Sequence, residues 1–208
     1  RLNFSHGTHE EHKRRINAIK KVREKLELPV AIMLDTKGPE YRLRRFACGK
    51  VTLKEGDPFT FTSEEILGDE TRVSVNPAEI VREIAVGETI LVCNGLVKFR
   101  VVKKDKTNLY CVTEIGGTLS DNKSMSFPGK VMKQKYLSDQ DKKDIAFGVK
   151  NGIDYIACSF VSNKQDLIDV REYLRELGTD DIELIAKIEN QAGFDNIDEI
   201  CEQCDGIM

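Results

Sequence analysis

Two charged residues, Lys187 and Glu189, lie two positions apart in the apolar segment 182–190, which reads Ile-Glu-Leu-Ile-Ala-Lys-Ile-Glu-Asn. The β-branched residues predict a short strand, and residues two apart in a strand point to the same side. Charged groups on the inner face of a buried strand are costly unless they pair or serve a ligand. One interpretation is a buried ion pair. The other is an anion-stabilising cation beside a metal-binding carboxylate.

A second set of polar residues follows another apolar run. Residues 30–34 read Val-Ala-Ile-Met-Leu, which predicts a strand buried on both faces, and Asp35-Thr36-Lys37-Gly38-Pro39-Glu40 come directly after it. Parallel α/β folds place their sites at the carboxyl ends of such strands. Asp35 and Thr36 are therefore candidates for the same site as Lys187 and Glu189.

Helices are predicted between these strands, and their start signals are visible. Thr8 with Glu11 forms a capping box, Ser138 precedes a second helix, and Ser162 with Gln165 forms another box. One further helix is predicted from Asn196 through Cys204. The repeated β-α unit is typical of a (β/α)₈ barrel or a doubly wound sheet. A dinucleotide-binding fold is disfavoured, because no Gly-x-Gly-x-x-Gly follows the predicted strands.

The middle of the chain has a different texture. Apolar and polar residues alternate from about Tyr41 onwards, and Asn94-Gly95 separates two alternating segments, which indicates a hairpin. Only a short turn of helix is predicted, near 77–84. This pattern predicts a small all-β module inserted in the α/β body, for which a closed barrel is one arrangement.

The histidines and cysteines give weaker signals. His9 and His12 fall on a charged first helical turn and are predicted to be solvated, which leaves only His6 as a candidate ligand-binding residue. The six cysteines are scattered through apolar segments and are predicted to be reduced. Cys201-x-x-Cys204 is interpreted as apolar packing on a helix, since no second cysteine pair accompanies it.

Composition limits the classes of partner. The 208 residues carry 32 Lys and Arg against 35 Asp and Glu, for a net charge of −3, which gives no case for nucleic acid or an anionic membrane as a partner. No apolar run approaches the length of a membrane span. The chain begins at Arg1 without an initiator methionine and stops in an apolar run at Met208. We therefore expect it to be a piece of a longer protein.

Six short motifs occur in a fixed order along the whole chain. They read Arg-Leu-Asn-Phe-Ser-His-Gly, Leu-Asp-Thr-Lys-Gly-Pro-Glu, Phe-Pro-Gly, Ser-Phe-Val, Lys-Ile-Glu-Asn and Asp-Gly-Ile-Met, at 1–7, 34–40, 127–129, 159–161, 187–190 and 205–208. Together they resemble the pyruvate kinase family. The resemblance implies an α/β fold, a partial (β/α)₈ TIM barrel with an inserted small all-β barrel called the lid. The expected divisions are 1–40 and 137–208 for the barrel and 41–136 for the lid.

The resemblance also implies a reaction, the glycolytic phosphoryl transfer from phosphoenolpyruvate to ADP that gives pyruvate and ATP in the cytoplasm. Arg1 and Arg42 match positions that contact the transferring phosphate, and arginine suits phosphate oxygens. Lys187 matches the position that stabilises charge on the phosphoryl group and on the enolate oxygen. Asn3, His6, Arg42 and Lys123 match nucleotide contacts, and Arg1 with Lys187 would bind phosphoenolpyruvate. The family is usually a homotetramer.

Cofactors are implied as well. Glu189 matches a ligand of Mg²⁺ or Mn²⁺, which prefer carboxylate and substrate oxygens. The positions that match the family's K⁺ site are Asn3, Ser5, Asp35 and Thr36. Glu40 matches a position where an acid accompanies K⁺ dependence, so K⁺ activation is predicted.

The resemblance also implies a limit on activity, and two alternative functions stay open. In the family, the second metal carboxylate and the donors for the substrate carboxylate follow Gly-Ile-Met, where this chain stops, so we expect the chain to be inactive alone. A metal-dependent aldolase or lyase acting on a pyruvate enolate would share the barrel and the acidic metal site. A non-enzymatic alternative is a ligand- or RNA-binding β module, although that module lacks the aromatic platforms and the basic stripe of such binders.

Overall fold

The computed structural model describes residues 1–130, 132–133 and 135–208. The chain divides into two compact units, Arg1–Pro39 with Gln134–Met208, and Glu40–Lys133. No helix among the described residues is both long and apolar enough to cross a membrane.

The helices and strands follow one another in three stretches. The first unit begins with β1 (Leu2–Asn3), α1 (His9–Leu26) and β2 (Met33–Asp35). The second unit contains β3 (Arg42–Leu43), β4 (Lys50–Leu53), β5 (Pro58–Thr62), β6 (Arg72–Asn76), α2 (Ile80–Glu83), β7 (Thr89–Val92), β8 (Val97–Lys104), β9 (Asn108–Ile115), β10 (Gly117–Ser120) and β11 (Met125–Ser126). The first unit resumes with α3 (Asp139–Lys150), β12 (Tyr155–Cys158), α4 (Lys164–Glu176), β13 (Glu183–Ala186), α5 (Gln191–Asp195), α6 (Ile197–Cys201) and β14 (Gly206–Ile207).

The first unit is built on a five-stranded sheet with the order β1-β2-β12-β13-β14. Every neighbouring pair in it is parallel, and helices alternate with strands along the chain. Buried aliphatic side chains such as Leu34, Ile156 and Leu184 fill the core that the helices cover. These observations confirm the predicted α/β class. Parallel pairing brings the carboxyl ends of all five strands to one edge of the sheet.

Over its described residues, the second unit is all-β apart from the one-turn helix α2, as the alternating pattern predicts. Its larger sheet has the order β11-β7-β8-β9-β5-β6-β3, and β4 pairs separately with β10. Phe59, Phe61 and Phe99 meet in its core. The predicted hairpin joins β7 to β8, and Asn94 and Gly95 at its turn have φ of 57° and 86°.

Two predicted helix starts are confirmed and one is wrong. Thr8 and Ser138 both form complete capping boxes. The third helix, α4, is capped by Asn163 rather than by Ser162, because Asn163 Oδ1 accepts the Gln165 N–H and Asp166 binds the cap backbone. The helix predicted from Asn196 through Cys204 ends at Cys201, and a separate short helix, α5, precedes it.

The prediction that His12 is solvated is wrong, whereas His9 is partly solvated, with 41% of its side chain exposed. His12 is only 1% exposed and stacks on Phe4, with ring centroids 4.1 Å apart. His9 stacks on Phe147, and its Nε2 lies 2.6 Å from the buried carboxylate of Asp144. The first turn of α1 therefore packs against Phe4, just before the helix, and against Phe147, which is distant in sequence, and a local charge pattern reveals neither contact.

The cysteine prediction needs a similar correction. All six cysteines are free. Cys201 is exposed at the last position of α6, and Cys204 lies beyond the helix in a half-buried position. The pair is therefore not buried packing on one helix, because the helix ends before its second member.

Candidate active site

The candidate site lies at the carboxyl edge of the parallel sheet. Asp35 is the last residue of β2, Ser159 follows β12, and Lys187 follows β13. The predicted strand 182–190 is shorter than expected, since β13 stops at Ala186. The Lys187 N–H still donates to Cys158 O at 2.9 Å, so the backbone continues beside β12 and carries the lysine to the edge.

The Lys187 ammonium group is the centre of the site. Nζ lies 2.7 Å from Ser159 Oγ, 3.0 Å from Asp35 Oδ1 and 3.3 Å from Glu189 Oε1. Three partners match the three protons that an ammonium group can donate. The side chain is only 13% exposed, so the amine is held in one place at the edge of the sheet.

Asp35 joins this lysine to a second cation. Its side chain is 2% exposed, and Oδ2 accepts a hydrogen bond from Arg1 Nε at 2.7 Å while Oδ1 faces Lys187. Arg1 itself is about half exposed, with a side-chain exposure of 53%. One buried carboxylate thus brings two cations together, which is an arrangement suited to an anion with several oxygens.

Glu189 is the one carboxylate of the cluster that solvent reaches readily, with 34% of its side chain exposed. Its Oε2 accepts the Phe160 N–H at 3.0 Å, and its Oε1 faces Lys187. Mg²⁺ is commonly bound through one or two carboxylates together with substrate oxygens and waters, so this donor fits. Among the described residues no group of three or more His, Cys, Asp or Glu could hold a metal, so a divalent ion needs other oxygens beside Glu189.

The four residues that match a K⁺ site lie at the ends of β1 and β2. Asn3 and Asp35 are direct partners in the parallel register. Asn3 Oδ1 accepts the Ser5 N–H at 2.9 Å, and Thr36 Oγ1 accepts the Ser159 N–H at 3.1 Å. Amide, hydroxyl and carboxylate oxygens suit a hard cation. Here the oxygens of Asn3, Thr36 and Asp35 also accept hydrogen bonds that hold the loops in place.

The remaining predicted residues divide between the units. His6 is exposed beyond β1, and its carbonyl accepts a hydrogen bond from His12. Arg42 belongs to the second unit, where it forms a two-bond pair with Glu40, at 2.8 and 2.6 Å. The Glu40 carboxylate raises the pKa of the Arg42 guanidinium by accepting these bonds. Lys123 is exposed. Its backbone lies next to that of Arg42, because the Lys123 carbonyl accepts the Leu43 N–H at 2.8 Å.

Two residues of the cluster were not predicted. Ser159 is 2% exposed and bonds Lys187, and Phe160 supplies the N–H for Glu189. The rule that polar residues after buried strands form sites could have found Ser159. Both residues belong to the Ser-Phe-Val motif, but the side chain of Phe160 gives no sign of its role, since its contribution is a backbone group.

Comparison with known proteins gives consistent matches. A family model described as "Pyruvate kinase, barrel domain" matches residues 1–208, which confirms the partial (β/α)₈ barrel. The pyruvate kinase of Clostridium perfringens is 42% identical over 209 residues, covering all of this chain and 44% of the relative. The pyruvate kinase of Geobacillus stearothermophilus is 41% identical over 210 residues, covering all of this chain and 36% of the relative. The chain therefore spans less than half the length of these curated relatives.

Proposed function

The chain belongs to the pyruvate kinase family, and from this premise we propose that its complete gene product transfers a phosphoryl group from phosphoenolpyruvate to ADP, giving pyruvate and ATP. The observation that carries the proposal is the Lys187 ammonium group, fixed by Asp35, Ser159 and Glu189 at the carboxyl edge of the sheet. The reaction is a step of glycolysis, and we propose a cytoplasmic homotetramer.

The two cations that Asp35 brings together, Lys187 and Arg1, suit the charges that this reaction develops. The transferring phosphoryl group spreads negative charge over three oxygens, and the departing enolate carries charge on its oxygen. Lys187 is already held at the edge of the sheet, and a phosphoryl or enolate oxygen would replace one of its three present partners to receive this charge stabilisation. Arg1 uses only Nε to bind Asp35, and we propose that its other N–H groups bind phosphate oxygens.

We propose that Glu189 holds Mg²⁺ or Mn²⁺, and that Asn3, Ser5, Asp35 and Thr36 hold K⁺. When bound, the divalent ion supplies positive charge that polarises the phosphoryl oxygens. The chain's own contribution is to keep the Glu189 oxygens oriented, through the Phe160 N–H and Lys187.

We propose that the nucleotide is bound by Asn3, His6, Arg42 and Lys123, and that the unit Glu40–Lys133 acts as a lid. The backbones of Lys123 and Leu43 are hydrogen-bonded in that unit, next to Arg42, and Lys123 is exposed, as a residue that binds a solvated phosphate would be. His6 is likewise exposed in the first unit.

The proposed reaction is tested by incubating the complete gene product with phosphoenolpyruvate, ADP, Mg²⁺ and K⁺, and coupling pyruvate to lactate dehydrogenase. We expect ADP-dependent turnover. The 208-residue chain produced alone is expected to show none, because Glu189 is the only divalent-metal ligand that we assign within it. Cleavage of oxaloacetate or a hydroxy acid without ADP-dependent turnover would instead support the aldolase or lyase.

Potassium dependence provides a separate prediction. Since Glu40 occupies the position where an acid accompanies K⁺ dependence, we expect K⁺ to activate the complete gene product at least about tenfold, a difference of about 1.4 kcal/mol in activation free energy. Glu40→Lys is expected to raise the rate measured without K⁺. Full activity of the unsubstituted protein in a K⁺-free buffer of a bulky organic cation would contradict this assignment.

A further inference from the structure

The residue after Ser159 adopts an unusual backbone conformation. Phe160 has a φ of +58°, in the left-handed region that bulky residues avoid. A strained conformation of this kind persists only when the surrounding structure holds it in place. The turn that connects β12 to α4 must therefore be stabilised by other residues.

Asn190 provides the main restraint on this turn. Its Nδ2 donates to two successive carbonyl oxygens, Phe160 O and Val161 O, both at 3.2 Å. Its Oδ1 accepts the Gly193 N–H at 2.8 Å, which caps α5. One side chain thus binds the turn on one side and the start of α5 on the other.

The start of α5 lies close against the turn 160–162. A Cβ atom built on Gly193 would lie 2.3 Å from Val161 O, so only glycine fits there. Asn196 Nδ2 adds a hydrogen bond to Ser162 O at 2.9 Å. The turn 160–162 is therefore held from the α5 side by hydrogen bonds and by close backbone contact.

This conformation aims a backbone donor at the proposed metal ligand. The Phe160 N–H donates to Glu189 Oε2 at 3.0 Å, while the other carboxylate oxygen faces Lys187 at 3.3 Å. A carboxylate bound through both oxygens to different partners loses its freedom to rotate. Residues that orient a ligand in this way commonly change metal affinity when they are replaced.

We propose that Asn190 is a positioning residue for Glu189, acting through the strained Phe160 turn to fix the carboxylate for a divalent cation. The proposal rests on the proposed function, because it takes Glu189 as a ligand of Mg²⁺ or Mn²⁺. In the absence of the Asn190 amide, we expect Phe160 to relax from the left-handed region and its N–H to leave Glu189, so that Lys187 alone restrains the carboxylate.

The test is a titration of the complete gene product with Mn²⁺, followed by electron paramagnetic resonance of the free ion. Asn190→Ala is expected to weaken Mn²⁺ binding at least about tenfold, the lower end of the range for residues that orient metal ligands. The matched control is Asn163→Ala, which removes the same type of helix cap from α4 and should change the affinity less than twofold. Unchanged affinity in Asn190→Ala would overturn the proposal.

A second comparison separates positioning from general damage to the loop. Glycine adopts positive φ without strain, so in a Phe160→Gly background the turn no longer needs the restraint. Adding Asn190→Ala to that background is expected to weaken Mn²⁺ binding less than about threefold, or about 0.7 kcal/mol. A loss as large as in the unsubstituted background would contradict the role assigned to the strained turn.

Glu189→Gln separates the metal-ligand role proposed for Glu189 from the positioning role proposed for Asn190. If this variant binds Mn²⁺ as tightly as the unsubstituted protein, the metal role of Glu189 fails and the positioning role fails with it. If Glu189→Gln loses affinity and Asn190→Ala does not, the positioning role alone is wrong. Loss of affinity in both, with retention in Asn163→Ala, supports both.

Discussion

Replacement of Lys187 by methionine is expected to lower kcat for phosphoryl transfer by about 1,000-fold, the upper range for loss of one preorganised charge-stabilising donor. Folding is expected to survive. Asp35 keeps Arg1 Nε at 2.7 Å as a partner, and Glu189 keeps the Phe160 N–H at 3.0 Å, so neither carboxylate is left alone. Methionine also has nearly the length of the lysine stem. The measurement is the coupled assay, with circular dichroism to verify the fold.

A matched control tests whether the position or merely the loss of a lysine matters. Lys164 forms a longer pair with Glu199, at 3.6 Å, and half of its side chain is exposed. Lys164→Met should leave kcat within about twofold, because exposed ion pairs contribute little. A Lys187→Met variant that retains more than a tenth of the original kcat would remove Lys187 from its assigned role.

Asp35→Asn is expected to have the second largest effect, a loss of at least about 100-fold in kcat, comparable with the loss of one preorganised electrostatic contact. The amide preserves the shape of the side chain but removes the charge between Arg1 and Lys187. Breaking a buried ion pair on one side typically costs about 3–5 kcal/mol of stability. We expect about 2 kcal/mol here, because the half-exposed Arg1 is partly compensated by water.

The stability loss is measured as a shift in the urea midpoint of unfolding, and a double variant identifies its cause. Adding Lys187→Met to Asp35→Asn removes one of the two cations that lose Asp35 as a partner, so part of the lost stability should return. Glu10→Gln is the control, since its pair with Arg14 is 77% and 72% exposed and should contribute almost nothing. Strictly additive losses in the double variant would show that Asp35 and Lys187 are not coupled.

The sequence predicts the part of the site that lies at the carboxyl ends of buried parallel strands. Asp35 and Lys187 come directly after apolar segments, and parallel strands bring their carboxyl ends together, so a shared edge could be expected before any coordinates. The α/β class follows equally from caps such as Thr8 and Ser138, which are local signals that tertiary contacts did not override. The prediction that Lys187 and Glu189 point to the same side is also confirmed, since their charged groups lie 3.3 Å apart, although the regular strand ends before both residues.

The part that could not be predicted depends on contacts between distant segments. Phe160 has no local preference for positive φ, and the contacts that hold this conformation, chief among them the Asn190 amide, come from residues about thirty positions away. His9 has a polar local pattern, yet its ring stacks on Phe147 and lies beside the buried carboxylate of Asp144. In each case a single sequence shows the residue type but not the partner that decides its environment.

The central claim is that Lys187 and Glu189 act together on one phosphorylated substrate and its metal ion. The most direct measurement is a crystal structure of the complete gene product with phosphoenolpyruvate and Mn²⁺, in which anomalous scattering locates the manganese. We predict a Glu189 oxygen about 2 Å from the metal and Lys187 Nζ within about 3 Å of a phosphate oxygen. Manganese bound away from Glu189, or a phosphate beyond hydrogen-bonding distance of Lys187, would contradict the claim.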